Sequence, residues 1–569
     1  DSVNINQSGK NYIYMAFADT REAAFWKDVS GQGNHWTPNN LDYRDSLIDS
    51  PANNFAVLNA LHPDADGLSE GNLKNYYAAS SGSIHRGIST IAIPSSGKWY
   101  WELLSNSTDN EVAIIELSGN QKAGTYNTSA VANGSVLSFE ADADAGTLTI
   151  YDDESQVSQT TSIDFSKQYM AYVGNDSTNT STNSTANFGQ DSTFSGATTA
   201  GGNQDDNGVG DFKYAPPSGY LALCTANLTT PTIVDGSEHF NTVLYTGDST
   251  TGRAITGVGF QPDWLWIKER SSVSNHRILD VLRGLNRLKS NSTDAETIDS
   301  TGVQSFDIDG FTVDDNQDYN DSGETYAAWN WKAGGAAVSN TDGSITSQVS
   351  ANVDAGFSIV SYTGTGANAT VGHGLNSAPD MVIVKNRDES WAHWGVYHKD
   401  NGGANSGHLY SIALNLTGGA ASSSTYWNNT APTSSVFSIG TDGVINNSGS
   451  DNIAYCFANS DIIKAGSYTG NGSNDGPFIY LGFRPSLFLT KRTDSTSDWQ
   501  LLDTARDTYN AADAYLKPNS SAGESTGGDH DFVSNGFKIR NSGGSQNASG
   551  GTYIYLAFAE SPFKYANAR

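Results

Sequence analysis

The residues in this chain that could do chemistry are few and scattered. Asp280-Val-Leu-Arg283 and Asp503-Thr-Ala-Arg506 each set a carboxylate three positions before a guanidinium and could form a charged site. The plainer reading is an ion pair that fixes a loop, since an exposed pair adds only about 0 to 1 kcal/mol but can set geometry. A second cluster, Trp391-Ala-His393-Trp394 with Tyr397 and His398, offers stacking faces and hydrogen-bonding groups suited to a sugar. Core packing of those aromatics is the more ordinary expectation, because Trp and Tyr dominate the interiors of sandwiches. Asp314-Asp-Asn316-Gln-Asp318 follows the first half of a calcium loop, but Tyr319 stands where glycine is needed and Thr325 where a bidentate glutamate belongs. The ten histidines form no metal-binding spacing. A nucleophile elbow, a Walker loop and a dinucleotide fingerprint are also missing in any credible context. Aspartates are abundant enough to supply two carboxylates for glycoside cleavage, yet no spacing singles out a pair. The expectation is no catalytic residue, no metal and no cofactor.

The elements that would position these residues are repeated. Val243-Leu-Tyr-Thr-Gly247, Val360-Ser-Tyr-Thr-Gly364 and Gly466-Ser-Tyr-Thr-Gly470 open three similar segments, their tyrosines 117 and 106 residues apart. Each opening leads to a proline and a continuous apolar strand with a basic end. These are Pro262 to Arg270, Pro379 to Arg387 and Pro485 to Arg492. Proline cannot donate to a central ladder, so it starts the strand, and the apolar run implies burial on both faces. Lys268, Arg270, Lys385 and Arg387 are expected to carry charge back to water at the strand ends. Asp309-Gly310, Asp442-Gly443 and Asn535-Gly536 then predict a hairpin in each copy, because both turn positions must tolerate positive φ. Asn320-Asp-Ser-Gly323, Asn446-Asn-Ser-Gly449 and Asn547-Ala-Ser-Gly550 introduce the closing strands. The expected copies are 233–337, 338–462 and 463–569.

A closing strand also stands at the start, Tyr12-Ile-Tyr-Met-Ala-Phe17, with no module before it. Either the rest of that module lies upstream, or Tyr12, Ile13, Tyr14, Met15 and Phe17 complete a neighbouring subunit by strand addition. Asp1 in place of Met is consistent with a processed product or a fragment. Residues 21–232 follow a different pattern. Alternation in Trp99/Trp101 and Leu148/Ile150 predicts half-buried antiparallel strands, and the stretches 175–185 and 201–210 read as loops or flexible insertions. The fold class predicted for the whole chain is all-β, as tandem antiparallel sandwiches of jelly-roll or concanavalin-like type.

Only 16% of residues are charged, and 59 of 569 are glycine, so polarity comes from Ser, Thr, Asn and Gly, as short strands and many turns require. The formal net charge of −30 repels phosphate backbones and anionic headgroups, which argues against nucleic acid and against membrane insertion. No apolar run is long enough to span a bilayer. Cys224 and Cys456 lie in apolar strands and read as buried small hydrophobes.

Gly97-Lys-Trp-Tyr-Trp-Glu102 and Gly146-Thr-Leu-Thr-Ile-Tyr151 resemble the hallmark strands of the SPRY group of concanavalin-like sandwiches. Such a module followed by Tyr-Thr-Gly copies is similar to tail-fibre and virion appendage proteins of marine-type bacteriophages. The segment from Asp280 to Glu296 and its counterpart from Asp503 to Glu524 carry the most specific likeness. The middle copy departs from it by lacking Asp-x-x-Arg. The resemblance implies an extracellular, non-enzymatic subunit that self-associates and binds host-surface glycan. Two other readings stay open: a secreted cellular filament built by N-terminal strand donation, and a polysaccharide depolymerase.

Overall fold

The structure is a computed structural model and describes residues 53–65, 67–77, 85–106, 110–117, 121–175 and 182–566. Tyr12, Ile13, Tyr14, Met15 and Phe17 lie outside the described residues. The chain divides into two compact units between Leu228 and Thr229, and both are built of β-sheet with little helix.

Among the described residues the N-terminal unit holds two sheets. One runs in the spatial order Leu68–Ser69, Lys74–Tyr77, Thr182–Asn187, Lys98–Ser105, Ser135–Asp142, Thr147–Asp152 and Ser155–Thr160, and Tyr220–Ala222 joins residues 98–100 in parallel. The other runs His85–Ile93, Tyr169–Asn175, Glu111–Glu116 and Lys122–Asn127. The strand through Trp99 and Trp101 corrects the expectation of half burial: Tyr100 and Glu102 are buried as well. Phe212 covers that second face, its ring 5.0 Å from Tyr100 and edge-on to it. In the Gly/Asp-rich stretch 201–210, Asp205 gathers the most side-chain bonds, and Asn203 pairs with Phe212. The Asp205 carboxylate accepts from the backbone of Asn207, Val209 and Ala222 and from the Asn227 amide.

In the C-terminal unit we number the twelve strands of the three main walls. They are β1 (Phe240–Thr246), β2 (Trp264–Glu269), β3 (Arg277–Asp280) and β4 (Thr325–Trp331) in the first copy. The second copy has β5 (Phe357–Thr363), β6 (Met381–Asn386), β7 (Trp394–His398) and β8 (Asp451–Phe457). The third has β9 (Ile463–Thr469), β10 (Phe483–Arg492), β11 (Trp499–Asp503) and β12 (Thr552–Pro562). The antiparallel order is the same in each wall, β1-β4-β2-β3, β5-β8-β6-β7 and β9-β12-β10-β11. The prolines differ in place. Pro262 and Pro379 precede their strands, whereas Pro485 sits inside β10 at a shift in register with β12.

Strand alternation sends side chains to two cores. Trp264 and Trp266 of β2, Met381 and Ile383 of β6, and Leu487 and Leu489 of β10 belong to one core shared by all three copies. Leu265 and Ile267 pack instead with Phe311 and Val313 of their own copy, and Val382 and Val384 with Phe437 and Ile439. In the third copy Phe488 meets Phe537 at 4.3 Å. Aromatic contacts join the copies at the centre: Trp264 to Tyr455 at 4.4 Å, Trp331 to Phe558 at 5.5 Å and Phe457 to Phe558 at 5.7 Å.

A second, smaller sheet backs each wall, and here the middle copy differs. In the outer copies hairpins do form, but the two-residue loops are Ile308-Asp309 and Ser534-Asn535, and each glycine begins the return strand rather than sitting in the turn as expected. Asp442-Gly443 forms no hairpin. Asp442 caps a one-turn helix and accepts from the Val444 amide, so its side chain ends the strand rather than turning it.

That helix explains the repeated motifs. The turns α1 (Gln317–Asn320), α2 (Gly443–Asn446) and α3 (Gly544–Asn547) each end in a buried asparagine of the Asn-x-Ser-Gly block. The motif tyrosines donate to the carbonyl just before it: Tyr245 to Tyr319 (2.8 Å), Tyr362 to Ile445 (2.7 Å) and Tyr468 to Gln546 (3.0 Å). The asparagine then ties down the Tyr-Thr-Gly turn. Asn446 accepts from the Thr365 amide and donates to the carbonyls of Ala367 and Gly440. A Cβ at Gly364 would lie 2.3 Å from the Asn447 carbonyl oxygen, so only glycine allows this approach. Replacing Asn446 with Ala removes three hydrogen bonds, one buried and two part-buried, and leaves their partners unmet. It should destabilise the C-terminal unit by about 2–4 kcal/mol in urea unfolding, and a loss under 1 kcal/mol would contradict this account.

Candidate functional site

The charged pairs singled out in sequence lie on the seams between copies. Asp280 ends β3 and is fully buried with Arg283, whose Nε donates to it at 2.6 Å. Across the seam the Tyr455 hydroxyl of the second copy donates to the same carboxylate oxygen at 2.8 Å. Arg283 also donates to the carbonyls of Ile278 and Asn286 and to Glu296. Glu296 in turn takes a two-pronged pair of bonds from Arg387 of the second copy, at 2.9 and 2.8 Å. Burial works against the Arg283 charge, but Asp280, Tyr455 and Glu296 more than offset it and hold the guanidinium above its ordinary range. Burial likewise pushes Glu296 up, and the two arginines bring it below the usual carboxylate range.

The seam between the first and third copies repeats this arrangement. Arg506 donates to Asp503 at 2.5 Å, the Trp329 indole of the first copy donates to Asp503 at 3.0 Å, and Glu524 is gripped by Arg270 at 2.9 and 2.8 Å. The remaining seam, between the second and third copies, has none of these charges. His398 and Asn401 stand where Asp and Arg stand elsewhere, Leu556 replaces the Tyr or Trp donor, Thr493 replaces the Arg and Ala420 the Glu. The backbone bond survives: Ala420 donates to Thr493 as Glu296 does to Arg387 and Glu524 to Arg270. His398 donates its Nε2 proton to the Tyr555 carbonyl and accepts from the Asp400 amide at Nδ1, and burial lowers its pKa to about 4.

The basic strand ends correct the expectation of return to water. Lys268, Lys385 and Lys491 are fully buried. Lys491 donates to the carbonyls of Thr417, Arg492 and Ser497, and Lys385 to those of Thr293, Asn386 and Glu389. Burial lowers all three ammonium groups to about 8. Thr293 and Thr417 belong to the preceding copy, so two of these lysines also bridge seams. In the half calcium loop, Asn316 caps α1 and Asp318 pairs with Arg277.

The aromatic cluster of the second copy does not share one face. Trp394 lies in the common core and donates to the Lys289 carbonyl at 2.9 Å, while Tyr397 packs in the copy's own core against Trp427. His393 is half-buried against the Asn415 amide. Trp391 alone stands out from the surface. Its indole donates to Glu389 at 2.8 Å, and Glu389 accepts from the Asn447 amide at 2.9 Å. Sequence reading reached Trp391 but not these two partners, which lie on different elements and carry no shared motif.

In the N-terminal unit the Glu of the Trp-Tyr-Trp-Glu strand is buried with four donors around it. They are the Tyr100 hydroxyl, the Asn187 amide and the backbone of Lys213 and Tyr214, at 2.8–3.0 Å. Burial pushes this carboxyl up to about 7 even so, because no cation faces it.

These features define an all-β unit of three copies closed around one core, with its buried charges bonded to its own chain. Residues 235–562 match Domain of unknown function (DUF7483), and the chain belongs to that family. No curated protein matches the chain. Among solved structures it is similar to the TRIM65 PSpry domain, at 12% identity and a TM-score of 0.18 over 23% of this chain and 90% of that one. It is also similar to the SPRY domain of human HERC1, at 11% identity and a TM-score of 0.16 over 25% of this chain and 95% of that one.

Two predictions follow from the geometry of the buried charges. Arg283→Met leaves Asp280 as an unpaired buried charge and should cost the C-terminal unit about 3–5 kcal/mol in denaturant unfolding. Asp280→Asn combined with Arg283→Met should recover at least about 1 kcal/mol of that loss, and strict additivity of the two single changes would refute the coupling. In the N-terminal unit, the raised Glu102 contributes stability that is fully present below about pH 4.5 and lost as pH rises through about 7. The unfolding free energy of that unit, measured in urea at each pH, should therefore fall between pH 5 and pH 8 by up to about 3 kcal/mol more than that of Glu102→Ala.

Proposed function

We propose that this protein is a structural and surface-recognition subunit of an extracellular fibre, of the phage tail-fibre or virion appendage kind, that binds glycan on a host surface. The observation that carries this reading is where the buried charge goes. Asp280, Arg283, Glu296, Arg387, Asp503, Arg506 and Glu524 all bond across or beside a seam, and none is left aimed at a ligand. Groups committed in this way hold a shape and do not turn over a substrate. A ring of copies within one chain supports a rigid display element, since the pieces cannot dissociate. The net charge of −30 fits work outside the cell in a salty medium, where screening limits self-repulsion to about 8–10 Å. Among the described residues no helix is long and apolar enough to cross a membrane.

Two measurements test the reading. Antibody raised against the full chain should label appendages in immunogold electron microscopy of virions, and the fluorescent chain should adsorb to host cells until their surface glycan is stripped. Unlabelled particles together with no adsorption would reject it. Release of new reducing ends from capsule or lipopolysaccharide by the purified chain would replace it with the depolymerase reading.

A further inference from the structure

The three copies provide an internal comparison for Trp391. The loop that carries it runs from a buried lysine to the ring that reaches the next copy: Lys268 to His276, Lys385 to Trp394 and Lys491 to Trp499. The ring atoms of His276, Trp394 and Trp499 all bond to a carbonyl of the neighbouring copy, those of Lys517, Lys289 and Ala413, which fixes the equivalence. The loop spans eight positions in the outer copies and nine in the middle one. At its tip the first copy has Val273, 75% exposed, and the third has an exposed Thr496. The loop therefore closes without an aromatic residue, and the indole is not there to make the fold.

Trp391 is nonetheless held in place. It is 52% exposed, yet Nε1 is bonded to Glu389, which is itself bonded to Asn447. Its far edge rests on the first residue of α2, where a Cβ at Gly443 would come within 2.9 Å of Cη2. The first copy has Gln317 at that helix position, and the glycine is what lets the ring lie down. An aromatic ring fixed at two edges with its rotamer already chosen binds without a further ordering cost.

The surroundings select the ligand. Asp388 and Ser390 beside it in the loop, and Thr441 and Ser448 on the two sides of α2, are polar and exposed, which suits a hydroxylated ligand better than an apolar protein face. A pyranose instead presents a C–H face to the ring and hydroxyls to the carboxylate and amide at its rim. Asp388, Glu389, Asp442 and Asp451 on these same segments would repel a uronate, a sialic acid or a sulfate ester. We propose that Trp391, with Glu389 and Asn447, is the contact point for a neutral pyranose of a surface glycan. This rests on the surface-recognition reading and names its site.

The test uses the full chain and Trp391→Ala on an array of neutral, sialylated and sulfated oligosaccharides, with Trp391→Phe as the stacking-competent control. Neutral sugars should bind, Ala should weaken them at least about tenfold, and Phe should keep most of the affinity. Unchanged melting of the Ala variant is expected, because the side chain is exposed and the equivalent loops fold without it. No neutral sugar bound, equal binding by Trp391→Ala, or a preference for anionic sugars would overturn the site. So would tetramethylammonium displacing the sugar, since that would make the ring and its acidic surroundings a cation site. Host-cell adsorption that persists in Trp391→Ala would sink this site while leaving the surface-recognition reading intact.

Discussion

The constraint on which the C-terminal unit depends is that β2, β6 and β10 each carry an unbroken apolar run, residues 264–267, 381–384 and 487–489. A strand with one polar face can sit at a surface, but Trp264-Leu-Trp-Ile267 has no such face. Each wall must therefore be covered twice. The copy's own small sheet covers one face, and the other can be covered only by an equally apolar wall. Three walls that each need a second cover are satisfied together when they share one core, as the contacts of Trp264 with Tyr455 and of Phe457 with Phe558 bring about. Burying the aromatic rings of this centre is a large favourable contribution to the unit.

Closing the walls in this way brings backbone and charged strand ends out of water, and the seams carry the consequence. Each of β2, β6 and β10 has a buried lysine at its next-to-last position, met by carbonyls that for Lys385 and Lys491 come partly from the preceding copy. An Asp–Arg pair buried at two seams needs every remaining proton and lone pair satisfied. Tyr455, Trp329, Glu296 and Glu524 supply those partners. At the third seam the whole set is gone together. That is the expected pattern for a network in which a half-satisfied state is worse than none. Leu556 cannot donate to a carboxylate, and the position facing it is His398, a neutral ring that bonds to backbone instead.

Much of the fold was legible in sequence because it rests on local rules. The two-sided burial of the apolar strands, the presence of hairpins near Gly310 and Gly536 and the all-β class follow from periodicity and turn chemistry. What sequence could not show is what depends on partners distant along the chain. The full burial of the Trp99 strand comes from Phe212, more than a hundred residues away. The burial of Lys385 and Lys491 depends in part on Thr293 and Thr417, which lie in the preceding copies. Asp442-Gly443 reads as a hairpin because the dipeptide is the same; its outcome turned on Asp442 finding the Val444 amide. In the candidate site, Asp280, Arg283 and Trp391 were visible as residues, but Glu296 and Tyr455, which complete the bonding of the Asp–Arg pair, sit 13 and 175 positions away, and Glu389 beside Trp391 carries no motif that marks it.

Holding three copies in one chain also changes what each copy can become. In a ring of identical chains any substitution appears at every seam and in every loop, so losing the Asp–Arg network once means losing it three times. A single chain removes that condition. One seam here has exchanged its charges for His398, Asn401 and Leu556 while the other two keep theirs, and the common core tolerates this because the apolar contacts are shared by all three walls. The same freedom applies to loop tips, where Val273, Trp391 and Thr496 occupy equivalent places. The constrained centre makes the copies alike, and the unconstrained rim is where they can differ, so a recognition residue present in only one copy belongs on a loop of the kind that carries Trp391.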